Sequence, residues 1–389
     1  HPHNPGVTFL SATPKSGQPF HLESEICQMS QPDTHPDYPF ASHADLPGVA
    51  FTDMRQVILE QAKSGNLPIL EDRDQRLTVE TAHGLIGLRP GIESEIAGMV
   101  AGQDARWLFV MKKAVIGQMR HMMPAVADAV RWSDSGEVTA LPPNFQFMRT
   151  IQVEQLGPVF LRATLQGEDV TTYGTDSIHF RLVQPVLEGH TDWPTVAQNG
   201  SIKWTDGPGA PHKPVYTVRS VDYDAGQIIT DIYLHDGGKT TEWAAEIKEG
   251  SKARNVIGLI GPMGGGLIKA KRILMAADET GFPAAARILE NLPGDATGEI
   301  FLEAENGAEC DYPVEAPKDL RVTWLSRAKG DRLLDAVLGR YTDFSDTPIW
   351  FAGEKDQARQ LREITKEAGY DSENLRISGF WRDESVAPK

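Results

Sequence analysis

The chain has 389 residues, of which 40% are hydrophobic and 24% are charged, as is typical of globular proteins. At about 100 to 200 residues per domain, this length predicts two or three domains. The formal net charge of −16 disfavours nucleic acids and anionic membranes as partners, because binding either one needs a basic face. The two cysteines, Cys27 and Cys310, are too few for a disulfide framework, a zinc motif or a plant-type iron–sulfur centre.

The sequence also predicts where the protein works. No stretch approaches the roughly 18 apolar residues of a membrane span, and residues 1–10 lack the layout of a signal peptide. Low cysteine usage is typical of a reducing compartment, so we predict a cytoplasmic protein without membrane insertion. The scattered histidines His1, His3, His35 and His43 repeat no ligand spacing, so we predict no metal site.

The N-terminal third predicts an arm and a small module. Residues 1–50 are rich in Pro, His, Ser and Asp, without periodicity, and predict an irregular arm. Residues 52–65 begin with Thr and end with Gly, which is typical of a capped helix. Short runs predict strands in RLTVET, GLIGLRP and EIAGMVAG, and a stripe at Trp107, Met111, Val115, Met119 and Met122 predicts an amphipathic helix. Residues 51–140 therefore form a predicted α+β module of unknown role.

The central part is rich in short strand-like runs separated by turn residues. Because residues 141–265 contain few long helical patterns, they predict an antiparallel six-stranded β-barrel. The stretch HDGGKTTEWA places Gly238, Thr240 and Thr241 at the start of a short helix. Such a start indicates either a cradle for a phosphate or simply a helix cap.

The C-terminal part, residues 266–389, alternates apolar strands with amphipathic helices. This alternation predicts a doubly wound α/β parallel sheet. One strand ends in Asp278 and Glu279, and a helix begins after Thr280. Ligands of such sheets bind at the carboxyl ends of the strands, so this turn indicates either a nucleotide cleft or a capped turn. The motif GPMGGG precedes its strand and is therefore not a dinucleotide-binding fingerprint.

Six motifs over residues 145–385 occur in the order of a known family: VYTVR, YLHDGGKTTEWA, GPMGG, ADETGFPAAARILENLP, WFAGE and GFWR. In this, the chain resembles the siderophore-interacting proteins, which are flavin-dependent ferric-siderophore reductases of the ferredoxin-reductase-like superfamily. The resemblance implies FAD in the barrel and NAD(P)H in the α/β domain, with electrons passing to chelated iron(III) and iron(II) released. The N-terminal module resembles, more weakly, a small uncharacterised domain fused ahead of some of these reductases.

The resemblance also implies roles for the FAD-binding residues. In the family's Arg-x-Tyr-Thr pattern, Tyr216 would pack beside the flavin, and Thr217, the catalytic residue, would lie near its reactive N5 atom. Arg219 would meet the pyrophosphate. The leading Arg of the pattern is Pro214 here, so Lys213 or Arg219 is expected to supply its charge. The residues expected beside the FAD phosphates are His235, Gly238, Thr240 and Thr241.

Two more ligands have implied sites. The residues expected to line the NAD(P)H cleft are Asp278, Glu279, Thr280, Ala352, Gly353 and Glu354. Arg327, with Lys329 and Arg332 nearby, is expected to meet an adenosine-side phosphate, and the choice between NADH and NADPH stays open. An anionic ferric siderophore would meet Arg181, Lys269 and Arg382. Two alternatives are a reductase fed by ferredoxin and a flavin- or siderophore-binding carrier without turnover.

Overall fold

The computed structural model describes residues 35–134, 141–174 and 177–382, which form an N-terminal module, a barrel and an α/β domain. The expectations for residues 1–34, including His1, His3 and Cys27, lie outside the described residues, as do residues 135–140 at the end of the predicted α+β module. Within the described ranges no helix is long and apolar enough to cross a membrane. In the same ranges, no three His, Cys, Asp or Glu side chains are grouped to hold a metal ion.

The N-terminal module is a five-stranded antiparallel sheet with helices packed on it. Its strands are β1 (Phe40–Asp45), β2 (Ile69–Arg73), β3 (Arg76–Thr81), β4 (Gly84–Pro90) and β5 (Ile96–Gly102), in the order β1-β5-β4-β3-β2. Its helices are α1 (Phe51–Ser64), α2 (Ala105–Met122) and α3 (Pro124–Ala129).

Three expectations for this module need correction. The predicted arm is wrong from residue 40 onward, because β1 pairs with β5 and Leu46 joins the core. Helix α1 begins at Phe51 after an Ala50 cap, not at a Thr cap. Helix α2 was expected to bury Met122, which is exposed, whereas Leu108 and Ile116 are buried. The helical period was therefore predicted correctly and its buried face only in part.

The barrel is an antiparallel sheet of seven strand segments. They are β6 (Phe145–Leu156), β7 (Phe160–Gln166), β8 (His179–Val183), β11 (Val215–Thr217), β12 (Ser220–Asp222), β13 (Gln227–Tyr233) and β14 (Val256–Met263). The order is β11-β8-β14-β6-β7-β13-β12, so the two edge segments are neighbours in sequence, joined by Val218 and Arg219. This continuity closes the sheet into a barrel. Six strands were predicted, and the structure divides the stretch 215–222 into the two segments β11 and β12.

Smaller elements complete the barrel domain. A two-stranded ribbon consists of β9 (Thr195–Val196) and β10 (Ile202–Lys203). Helix α4 (Lys239–Lys248) packs on the barrel through Trp243, which is fully buried. A short 3-10 helix spans Thr171–Gly174.

The C-terminal domain is a five-stranded parallel sheet. In chain order its elements are β15 (Arg272–Asp278), α5 (Phe282–Glu290), β16 (Thr297–Ala304), β17 (Asp319–Ser326), α6 (Leu333–Leu338), β18 (Ile349–Glu354), α7 (Lys355–Glu367) and β19 (Leu375–Trp381). The strand order β17-β16-β15-β18-β19 reverses direction between β15 and β18. A ligand crevice is expected outside the carboxyl ends of these two strands.

The barrel packs firmly on both neighbours. Toward the sheet, the Tyr312 hydroxyl donates to buried Asp231 at 2.7 Å, and Arg287 donates to the Tyr173 carbonyl at 3.2 Å. Toward the N-terminal module, Arg106 forms an ion pair with Asp169 at 2.6 Å. These bonds hold the barrel against the α/β sheet on one side and against the N-terminal module on the other.

Candidate active site

A cleft of about 510 Å³ lies where the barrel meets the α/β sheet. It has two walls, one from barrel strands β8, β11 and β13 and one from the carboxyl ends of β15 and β19. The predicted residues that line it are Tyr216, Thr217, His235, Glu279 and Thr280. Its position coincides with the switch point of the sheet.

Thr217 presents a buried hydroxyl at the barrel wall. Strand alternation puts Val215 and Thr217 on one face of β11, opposite Arg181 and His179 of β8. Thr217 is 4% exposed, and its hydroxyl lies 3.3 Å from Nδ1 of His179. Burial lowers the pKa of His179 to about 4, so this ring is neutral at pH 7. The Thr217 hydroxyl therefore has one uncharged protein partner and faces the cleft.

Tyr216 points to the opposite face of the strand. Burial raises its pKa to about 12, and its hydroxyl is bonded to Thr240 at the start of α4. The Thr241 hydroxyl lies 3.5 Å from the Tyr233 carbonyl and donates to it. These bonds fix the start of α4 against the barrel wall.

The start of α4 is an open cradle. Gly238 is the N-cap and provides no side-chain cap, so the first-turn N–H groups lack partners within the helix. A Cβ at Gly238 would lie 2.8 Å from the His235 ring and 2.9 Å from the Thr241 hydroxyl. A second cavity of about 440 Å³ adjoins this helix, and His235 lines both cavities. An elongated ligand can therefore extend from the cleft past His235 to the cradle.

Asp278 closes the sheet side of the site. Its Oδ1 accepts from the Thr280 hydroxyl at 2.6 Å and its Oδ2 from Trp381 Nε1 at 2.6 Å. Burial raises the pKa of Asp278 to about 6 in spite of these bonds. A Cβ at Gly353 would lie 3.1 Å from the same carboxylate, so Gly353 makes room for it.

We expect Asp278 to give the protein a distinct pH dependence of stability. Between about pH 4 and 6 the folded chain keeps a proton that the unfolded chain has lost, so the free energy of unfolding falls as pH rises. Asp278→Asn removes this dependence. Its melting temperature should therefore rise relative to the natural chain as pH increases from 4 to 6. Differential scanning calorimetry at several pH values measures this difference, and parallel curves would contradict it.

Glu279 holds Arg327 inside an ion-pair network. Arg327 Nη1 lies 2.8 Å from Glu279 Oε2 and 3.1 Å from Glu303 Oε1, and its Nε lies 3.4 Å from Glu305. Burial lowers the pKa of Arg327, but the bonds to Glu279 and Glu303 outweigh burial and raise it. Arg327 was expected to meet a phosphate, and the structure instead surrounds it with three carboxylates.

Arg327→Ala is therefore expected to act first on stability. It leaves Glu279 and Glu303, each 3% exposed, without their cationic partner, which costs about 3 to 5 kcal/mol. Urea unfolding measures this loss. A variant of unchanged stability, altered only in its preference for NADPH over NADH, would support the phosphate role instead.

Two further predicted residues have partners of their own. Glu354 caps α7, accepting from the backbone N–H groups of Asp356 and Gln357 at 2.7 and 3.0 Å. Its other oxygen, Oε1, is buried with no hydrogen-bond partner among the described residues. Arg219 was expected at the pyrophosphate, but it lies outside the cleft and forms an ion pair with Glu290 of α5, 2.7 Å apart.

None of the three predicted siderophore contacts lines the cleft. Lys269 and Arg382 are exposed, without an ion pair in the described part of the chain. Arg181 is partly buried and donates to the carbonyl of Lys213. Both expected replacements at Pro214 have partners in the protein. Arg219 is paired with Glu290, and the Lys213 ammonium lies 5.0 Å from the centroid of the Trp204 ring.

Sequence reasoning missed several cleft residues. His179 and Phe380 meet edge to face, with ring centroids 5.5 Å apart, and both line the cleft. A Cβ at Gly265 would lie 2.4 Å from the His179 ring, so the GPMGGG stretch lets the chain pass over this histidine. The signal for His179 was its position two residues before Arg181, on the same strand face.

The residues present fit FAD. The open helix start suits a pyrophosphate, because its free N–H groups and dipole favour an anion. The Gly238 position leaves space that any Cβ would reduce. The cleft beyond His235 offers a tyrosine, a threonine hydroxyl and a neutral histidine, a donor set that suits a flat, hydrogen-bonding ring.

Comparison with known proteins agrees with this geometry. The family model for the siderophore-interacting FAD-binding domain matches residues 149–266. The family model for the siderophore-interacting protein matches residues 270–384. The NADPH-dependent ferric-chelate reductase of Escherichia coli is 28% identical over 249 residues, which is 61% of this chain and 92% of that protein. An uncharacterised protein of Mycobacterium tuberculosis is 31% identical over 260 residues, 60% of this chain and 88% of that protein.

A solved structure shares the fold. The siderophore utilization protein from T. fusca has a TM-score of 0.52 and 28% identity, and the match covers 62% of this chain and 94% of that one. Both family models begin beyond the N-terminal module. From its barrel onward, the chain belongs to the siderophore-interacting protein family.

Proposed function

We propose that this protein is a ferric-siderophore reductase that passes electrons from NAD(P)H through FAD to chelated iron(III) and releases iron(II). The observation that carries this proposal is the single cleft that joins the Thr217 face of the barrel to the switch point of the sheet. One ligand held by the barrel and one held by the sheet would meet there. NAD(P)H as donor favours a cytoplasmic location.

The protein's part in the reaction is to bind and orient. FAD, when bound, accepts a hydride and gives up single electrons, which a nicotinamide cannot do for iron. The α4 cradle would hold the phosphates, and Lys239, the first residue of this helix, brings a positive charge to it. Thr217 would supply a hydroxyl to the ring, and neutral His179 lies 3.3 Å from that hydroxyl.

Iron leaves because its oxidation state changes. Hard oxygen donors of a siderophore hold iron(III) strongly and iron(II) weakly, so reduction labilises the metal. No nucleophile or acid–base pair on the protein is needed.

NADPH is the proposed donor, because the Escherichia coli relative is named for it.

Turnover tests this proposal. The purified protein with FAD is given NADPH or NADH and a ferric siderophore, and a ferrous chelator traps the product. We expect catalytic iron(II) release that needs both FAD and the nicotinamide. Release only with reduced ferredoxin would favour a ferredoxin-fed reductase, and no release would favour a carrier.

Substrate contacts have a separate test. Lys269→Ala and Arg382→Ala are expected to raise KM for an anionic ferric siderophore, because both side chains are exposed and without ion pairs in the described ranges. Flavin reduction by NADPH should be unchanged in both. Steady-state kinetics identical to those of the natural chain in both variants would remove these residues from the site.

A further inference from the structure

The ring of His179 is held in one orientation at the wall of the cleft. Its Nδ1 lies 3.3 Å from the hydroxyl of Thr217, its register partner on β11. Its other edge faces the GPMGGG stretch, since a Cβ at Gly265 would lie 2.4 Å from Cδ2 and 2.6 Å from Nε2. Phe380 meets the ring edge to face. Nδ1 therefore faces strand β11, and Nε2 faces Gly265.

The hydrogen bond between His179 and Thr217 can run in two directions, with different consequences for the cleft. If Nδ1 accepts, the Thr217 hydrogen is used inside the protein, and the hydroxyl can only accept from a ligand. If Nδ1 carries the proton, it donates to the hydroxyl oxygen, and the Thr217 hydrogen stays free for an acceptor in the cleft. A neutral imidazole has one N–H, so its tautomer decides the direction.

The contacts with β11 favour the tautomer with the proton on Nδ1. A hydrogen bond with the backbone of Tyr216 raises the pKa of His179, although burial outweighs it. A bond that raises the pKa of an imidazole is one that the ring donates, so the partner is the Tyr216 carbonyl. Because Nδ1 is the nitrogen that faces β11, it is the donor. The Thr217 hydroxyl has no second hydrogen bond within the described residues, so its hydrogen is left for a ligand.

We propose that His179 is a positioning residue that directs the Thr217 hydrogen into the cleft and so favours the oxidised flavin ring over the reduced one. This inference rests on the FAD binding contained in the proposed function. By the family resemblance, N5 of the ring would lie near Thr217. N5 is a bare acceptor in the oxidised ring and carries a hydrogen in the reduced ring, so the directed hydroxyl suits the oxidised ring better.

A preference for the oxidised ring makes the reduced ring a stronger electron donor. A chelator that holds iron(III) far more strongly than iron(II) lowers the potential of its iron, so reduction of that iron needs such a donor. One hydrogen bond made to only one state of the ring gives that state an advantage of about tenfold. For a two-electron couple, this corresponds to a midpoint potential about 30 mV lower.

Redox titration of bound FAD measures this effect without turnover. We expect His179→Leu to raise the midpoint potential by about 30 mV, the tenfold advantage converted. His179→Asn should keep the natural value, because its amide can donate from the position of Nδ1. The matched control is His121→Leu, since His121 is exposed on α2 of the N-terminal module.

A double variant shows whether His179 acts through the Thr217 hydroxyl. In a Thr217→Val background there is no hydroxyl to direct, so adding His179→Leu should leave the potential of Thr217→Val unchanged. An unchanged potential in the single His179→Leu variant overturns the proposal. So does a shift of equal size in the Thr217→Val background, because His179 would then act on the ring by another route.

Nitrogen-15 NMR of the histidine-labelled natural chain reads the tautomer directly, and loss of one signal in His179→Asn identifies the ring. We expect the hydrogen on Nδ1, and a hydrogen on Nε2 overturns the proposal. This measurement needs no FAD, so it decides the direction even if His179→Leu fails to fold. If the tautomer and the potentials are as expected but no iron(II) is released, the proposed reductase fails while this role of His179 stands.

Discussion

Gly238→Val is expected to yield a protein that no longer retains FAD. The Cβ alone would lie 2.8 Å from the His235 ring and 2.9 Å from the Thr241 hydroxyl, and two methyl groups would fill the cradle before the first-turn N–H groups. We expect FAD to bind at least about 100-fold more weakly, equivalent to about 2.7 kcal/mol. The flavin absorbance of the purified protein and a fluorescence titration with FAD measure this loss.

The control is another glycine-to-valine change. A Cβ at Gly266 has no atom within 4 Å, and Gly266 has no positive φ. Gly266→Val should therefore keep its flavin. A yellow Gly238→Val protein with unchanged affinity would show that the pyrophosphate is bound elsewhere.

Thr217→Val is expected to keep FAD and lose most of the reaction rate. Valine has the shape of threonine, but it lacks the hydroxyl that faces the cleft beside His179. Removal of a preorganised hydrogen-bond donor at a reacting centre slows the step about 100-fold. Anaerobic stopped-flow absorbance with NADPH measures the rate of flavin reduction in the variant and in the natural chain.

A conservative change separates hydrogen bonding from packing. Thr217→Ser keeps the hydroxyl and loses a methyl group, so it should retain most of the rate. If flavin reduction in Thr217→Val is as fast as in the natural chain, the Thr217 hydroxyl has no role in the reaction and only forms its hydrogen bond with His179. Loss of FAD in this variant would instead indicate that Thr217 acts through binding.

The succession of strands and helices predicted much of the fold. Period-2 runs identified the barrel strands, and the alternation of β and α elements identified the parallel sheet, with Asp278 and Thr280 at its switch point. Strand β1 was missed, because six residues among prolines and histidines offer too little alternation. The barrel strand that divides at Val218 shows no break in its sequence pattern.

Basic residues in the site were harder to predict. Arg219 and Arg327 were assigned to phosphates, yet their carboxylate partners, Glu290 and Glu279, lie 71 and 48 residues away in sequence. Only the folded chain reveals which charges neutralise each other.

The most direct test of electron transfer through bound FAD uses two anaerobic mixing steps. The purified protein with FAD is first mixed with NADPH, and then with a ferric siderophore and a ferrous trap, while flavin absorbance is followed. We expect the flavin band to bleach in the first step and to return in the second, with two iron(II) trapped per flavin, since a hydride carries two electrons and each iron takes one. A protein that binds no FAD, or iron(II) formed while the flavin band stays constant, would contradict the proposed function.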